Sequence, residues 1–121
     1  MNQGPPLTPA EATRVLWQIG QEIDAKTADL IELRRKRAGL DRARRLAYAR
    51  CYLTTDGTLE YRKQKSEVAA DDAKFALETH DQEMEACKDA LRALRDRSEI
   101  GRSINSNLKE ELRVLHGGGQ T

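Results

Sequence analysis

The stretch Arg44-Arg45-Leu46-Ala47-Tyr48-Ala49-Arg50-Cys51-Tyr52-Leu53-Thr54-Thr55-Asp56-Gly57-Thr58-Leu59-Glu60-Tyr61-Arg62-Lys63-Gln64-Lys65 decides the fold. It holds six basic residues, two acidic ones and all three tyrosines of the chain. At its centre, Thr54 to Thr58 reads as a turn. Gly57 supplies permissive backbone angles, and Thr58 is a good cap for a following helix. Helical patterns run for tens of residues on both sides. So short a link makes the flanking helices antiparallel neighbours.

Upstream, apolar positions recur at alternating steps of four and three: 12, 16, 19, 23, 26, 30, 33, 37, 40, 44, 47 and 51. Nine of these twelve are apolar, which is the pattern of a narrow heptad seam. Thr8, Pro9 and Glu11 form a start signal, with a capping threonine, a proline at the first helical position and a capping-box glutamate. Downstream a second seam runs 59, 63, 66, 70, 73, 77, 80, 84, 87, 91, 94, 98, 101, 105, 108, 112 and 115. It weakens at Lys63 and Ser66, and again at Ser98, Gly101 and Asn105. The glycines at 117–119 end it.

The expected fold is therefore all-α: an antiparallel two-helix hairpin of coiled-coil type. Residues 1–7 form an N-terminal arm, helix one covers about 8–52, the turn 53–58, helix two about 58–116, and 117–121 a flexible tail. Folding about residue 55 sets residue i opposite about 110 − i. Leu16 then meets Leu94, Ile19 meets Leu91, Ile23 meets Cys87, Leu33 meets Leu77 and Leu40 meets Ala70. His80 faces Leu30, and Arg37 faces Ala73, past which its stem snorkels. The second helix is the longer, so residues from about Gly101 to His116 overhang. Their Ile104, Leu108, Leu112 and Leu115 need a partner, and self-association through this overhang is expected. In 97–107 small and polar residues fill the seam, while Ile100 and Ile104 point elsewhere, toward another chain.

The net charge of +1 conceals strong segregation. Residues 1–33 carry −3, 34–65 carry +8, 66–90 carry −6 and 91–121 carry +2. In the hairpin the basic block converges on the tip. Arg42, Arg44, Arg45, Arg50, Arg62, Lys63 and Lys65 lie there, interleaved with Tyr48, Tyr52 and Tyr61. Cations to neutralise phosphates and aromatic faces to stack bases are what single-strand binding requires. The competing reading is a solvated turn whose tyrosines pack the hairpin's end. The acidic stretch 67–89 lacks the ligand spacing of a calcium loop.

No nucleophile, metal set or paired carboxylate cleft can be assembled, so no enzyme and no cofactor is expected. Cys51 and Cys87 form no disulfide framework, and the hairpin holds them too far apart to bond. No run approaches a membrane span, and no signal peptide opens the chain. A cytoplasmic protein without membrane contact is expected. Its partners are a second copy of itself, DNA or RNA, and in the alternative reading another protein.

Two resemblances bear on function. Residues 22–47 (EIDAKTADLIELRRKRAGLDRARRLA) resemble the first helix of the helical chorismate mutases, with Ile23-Asp24, Leu30, Leu33 and Arg37 matching its stripe. That family's later lysine and separate short second helix are not matched. The arginine-rich first helix, the LTTDG turn at 53–57 and the tail LRALRDRSEIGRSINSNLKEELR at 91–113 resemble small helical proteins encoded by bacteriophages, particularly those of high-GC hosts. That resemblance implies an accessory role in nucleic-acid metabolism. The expected function is thus a non-enzymatic, oligomeric accessory protein that touches nucleic acid through the tip. The alternative is a coiled-coil adaptor that holds another protein through residues 98–115. There Ile100, Ile104, Leu108, Leu112 and Leu115 form the oligomer or partner interface.

Overall fold

The computed structural model describes residues 8–117, and every regular element among them is a helix: α1 (Pro9–Thr54), α2 (Leu59–Ala69) and α3 (Asp71–Gly117). The expected N-terminal arm and most of the expected tail lie outside the described residues. At the start of α1 the capping box is formed. The Glu11 amide donates to Thr8 Oγ1 and the Thr8 amide to Glu11 Oε2, both at 3.2 Å. Two amides that have no partner within the helix are thereby satisfied.

All twelve first-seam positions, from Ala12 to Cys51, are buried or half-buried. The second seam is likewise covered from Ser66 through Leu108, while Leu59, Lys63, Leu112 and Leu115 are exposed. The chain divides into two compact units, one of residues 28–89 and the other of 1–27 with 90–121.

In the 28–89 unit the core is Leu30, Ala70, Leu77, Met84 and Cys87, with Ser66 and His80 buried among them. Partners along it read Tyr52 with Arg62, Arg37 with Asp81 and Leu33 with His80, so the helices run antiparallel. Every observed partner lies three to eight residues beyond the 110 − i expectation. His80 reaches the backbone oxygen of Leu33, at 2.6 Å, instead of facing Leu30. Arg37 does not snorkel past Ala73; it forms a two-pronged ion pair with Asp81, at 2.6 and 3.3 Å. The main cause is the turn. Helix α1 continues through Thr54, so the chain pivots between Asp56 and Gly57 rather than at residue 55. The reach of the arginine adds to the offset at Arg37.

The second arm is also interrupted where one continuous helix was expected. Ala70 has φ −92° and ψ −1°, which ends α2 and lets α3 begin at Asp71. Hydrogen bonds flank the interruption on both sides: the Ala70 amide donates to Ser66 O, and Ala70 O accepts from the Lys74 amide. Asp71 and Asp72 then stand in the first turn of α3, where the helix dipole favours anions. The wholly buried Ser66 returns its hydroxyl to Arg62 O at 2.7 Å, a backbone bond that bends helices.

The other unit buries Ala12, Ile19, Leu91, Leu94 and Ser98. It gives Gly101 a physical reason: a Cβ there would lie 2.8 Å from Leu16 Cδ2. The small residues of this part of the seam make room for Leu16. The contact also shortens the overhang, since Gly101 and Asn105 are half-buried under α1 and full exposure begins only after Leu108.

Candidate nucleic-acid interface

The tip is built by side chains that bond the backbone carbonyls at the end of α1. The Thr54 hydroxyl donates to Arg50 O at 2.7 Å and the Thr55 hydroxyl to Cys51 O at 2.6 Å. Arg62 crosses from α2 and donates from both Nε and Nη2 to Tyr52 O, at 3.2 and 2.9 Å. Thr58 Oγ1 accepts the Tyr61 amide at 3.2 Å and so caps α2. Gly57 has φ +126°, a conformation that L side chains rarely adopt, and a Cβ there would press on the Tyr61 ring at 3.0 Å.

The ten tip residues expected to bind nucleic acid separate into two groups. The first group is engaged by contacts within the hairpin. The Arg62 guanidinium lies 4.2 Å from the centroid of the Tyr52 ring, and Tyr52 stacks on Tyr48 with centroids 6.2 Å apart and planes at 11°. Arg44 and Arg45 share Asp41, at 3.0 and 3.4 Å. The hydrogen bond from Arg44, with the field of Arg45, holds the Asp41 carboxyl below the ordinary carboxylate range. Tyr48, Tyr52 and Arg62 thus match the packing reading of the tip, and Arg44 and Arg45 are partly neutralised.

The second group faces solvent. Arg42, Arg50, Lys63 and Lys65 are exposed, and no ion pair among the described residues engages them. Tyr61 is half exposed, with the Lys65 ammonium 5.9 Å from its ring centroid. Helical spacing puts Arg42 and Arg50 on the outer side of α1 and Tyr61 and Lys65 on the outer side of α2. The cations therefore ring the tip rather than line one cleft. Two apolar tip residues are exposed, Leu53, which the seams leave out, and Leu59, the first position of the second seam, at 78% and 62%. Their signal in the sequence is their position, each next to the turn where the seam ends.

Beside the tip, an open groove of about 910 Å³ runs over Arg44, Tyr48, Val68 and Ala70. Glu67, Asp71 and Asp72 line the same groove beside Arg44 and Lys74, so its lining is of mixed charge.

Elsewhere the expected interface residues split as the overhang does. Ile100 is 60% exposed, Ile104 42%, Leu112 40% and Leu115 77%, while Leu108 is half-buried. Among the described residues no group of His, Cys, Asp and Glu side chains is arranged to hold a metal, and neither cysteine forms a disulfide. No described helix is long and apolar enough to cross a membrane. The chain matches no protein-family model, no curated protein and no solved structure.

Proposed function

We propose that this chain is a non-enzymatic, self-associating accessory protein of nucleic-acid metabolism that contacts a nucleic-acid backbone through the hairpin tip. One observation carries the reading: Arg42, Arg50, Lys63 and Lys65 stand exposed around one turn, with no acidic partner among the described residues. Such cations displace condensed counterions from phosphates, and that release drives binding without sequence preference. Tyr61 adds a ring on which an unpaired base can stack. Tyr48, Tyr52, Arg62 and the Thr58 cap keep the tip in shape. The resemblance to small bacteriophage-encoded helical proteins supports the same role, in the cytoplasm, where the two thiols stay reduced.

The test is charge reversal with the fold monitored. The pair Arg50→Glu and Lys63→Glu removes no hydrogen bond described above, so helicity by circular dichroism is expected to stay unchanged. Oligonucleotide affinity is expected to fall by about tenfold or more, since each lost phosphate contact lowers both affinity and its salt dependence. Unchanged affinity in a fully helical variant would refute the assignment.

A second reading has its own observation. The exposed Ile100, Ile104, Leu112 and Leu115 fit an adaptor of coiled-coil type that holds another protein through residues 98–115. In that case Leu108→Asp dissolves the complex, and an unaffected oligomer counts against this reading.

A further inference from the structure

We propose that α3 pairs antiparallel with α3 of a second copy of this chain, through residues 93–115 and about a twofold axis at Ile104. The inference rests on the self-association proposed above and assigns its surface.

On α3, positions 93, 97, 100, 104, 108, 111 and 115 are separated by four, three and four residues, and then by four, three and four again. Two eleven-residue periods keep one stripe of an α-helix nearly straight, because eleven residues make almost three whole turns. The stripe lies about a quarter-turn from the side of α3 that buries Leu91, Leu94 and Ser98 against α1. That is the disposition of neighbouring contacts in a four-helix bundle. The stripe is open: Ala93, Arg97 and Glu111 are exposed, Ile100, Ile104 and Leu115 are 60%, 42% and 77% exposed, and Leu108 is half-buried.

The occupants of the stripe are self-complementary. Reversed about Ile104, Ala93 faces Leu115, Arg97 faces Glu111, Ile100 faces Leu108 and Ile104 faces itself. Each apolar residue meets an apolar residue, and each charge meets its opposite, twice per dimer by symmetry. The alternatives fail on charge. Parallel pairing in register sets Arg97 on Arg97 and Glu111 on Glu111. Antiparallel pairing about Ile100 sets Arg97 against Ser103, beside Ile104, and pairing about Leu108 sets Glu111 against Asn105, so neither charge meets its opposite. Neither Arg97 nor Glu111 has an ion-pair partner among the described residues, so both are available to a second copy.

The experiment is sedimentation equilibrium of the full chain, with charge-swap variants and a cysteine cross-link. The wild type is expected to sediment as a dimer or an even multiple. Arg97→Glu and Glu111→Arg each introduce two like-charged contacts and are expected to weaken the dimer by ~tenfold. The double variant, which restores both pairs in reverse, is expected to return close to wild type. Ile104→Cys sits on the axis and is expected to form a disulfide-linked dimer under mild oxidation, whereas Ser106→Cys, on the other side of α3, is not. A wild-type monomer at high concentration overturns self-association and this interface together. A wild-type oligomer indifferent to both single swaps, with no linkage through Ile104→Cys, overturns this interface alone. A protein other than a second copy would then be the occupant of the stripe.

Discussion

Arg62 does more for the hairpin than any other residue at the tip. Its two donors meet the Tyr52 carbonyl while its plane covers the Tyr52 ring. Arg62→Ala removes a helix-terminating bond and a cation–π contact, and a loss of about 1–3 kcal/mol in urea unfolding is expected. Arg62→Lys recovers only part of this, because an ammonium cannot reproduce the planar two-donor fork. A second residue-level device is the Arg37–Asp81 pair. The hydrogen bond from Arg37 keeps the Asp81 carboxyl below its ordinary range. Asp41 is lowered in the same way by Arg44. A carboxylate whose folded value is depressed adds stability above its unfolded value and loses it as pH falls through the folded one. The contribution of these two carboxylates to stability is therefore expected to be constant down to about pH 4 and to decline below it, with Asp81→Asn flattening that decline. Urea midpoints across this range check it. Both pairs are partly exposed to solvent, so the effect is small.

Among the elements, α3 carries the clearest consequence of its sequence. The polar, small-residue run at Ser98, Gly101 and Asn105 looks like a lapse in the seam, yet Leu16 fills the space over Gly101. Gly101→Leu overpacks that contact and is expected to cost about 1–3 kcal/mol, read as a lower melting temperature. Gly101→Ala sets the gain in helix propensity against a clash with only the flexible end of Leu16, so its effect is expected to be much smaller. The seams themselves were legible, because a four-three alternation needs no knowledge of the partner. So were both caps, Thr8 with Glu11 and Thr58, whose signals are local. The register was not. It depends on where the chain pivots, and extending α1 through Thr54 moves every partner by at least three residues. The interruption at Ala70 was equally hidden, since it lies in the backbone angles of one residue within a continuous polar-apolar pattern. The candidate site was legible as a charge cluster and illegible as a division of labour. Composition cannot tell Arg62, which caps α1, from Lys63, which faces water.

At the level of the whole molecule, the proposed function and the proposed pairing use two surfaces of different chemistry. The proposed polyanion contact would use the exposed cations and exposed tyrosine of the tip, and the proposed pairing would use the C-terminal stripe of α3. Such a dimer would present two tips, and linking two weak phosphate contacts would raise the overall affinity above that of either alone. Arg97→Glu is therefore expected to weaken oligonucleotide binding without touching the tip, and the charge-restoring Glu111→Arg in the same chain is expected to recover it. The most direct test of the central claim is equilibrium binding of labelled single- and double-stranded oligonucleotides, titrated from low to near-physiological salt. Binding that survives near-physiological ionic strength, with an affinity that falls linearly with salt on logarithmic axes, is the predicted result. Absence of binding even at low salt would contradict the account and leave the tip as a structural turn.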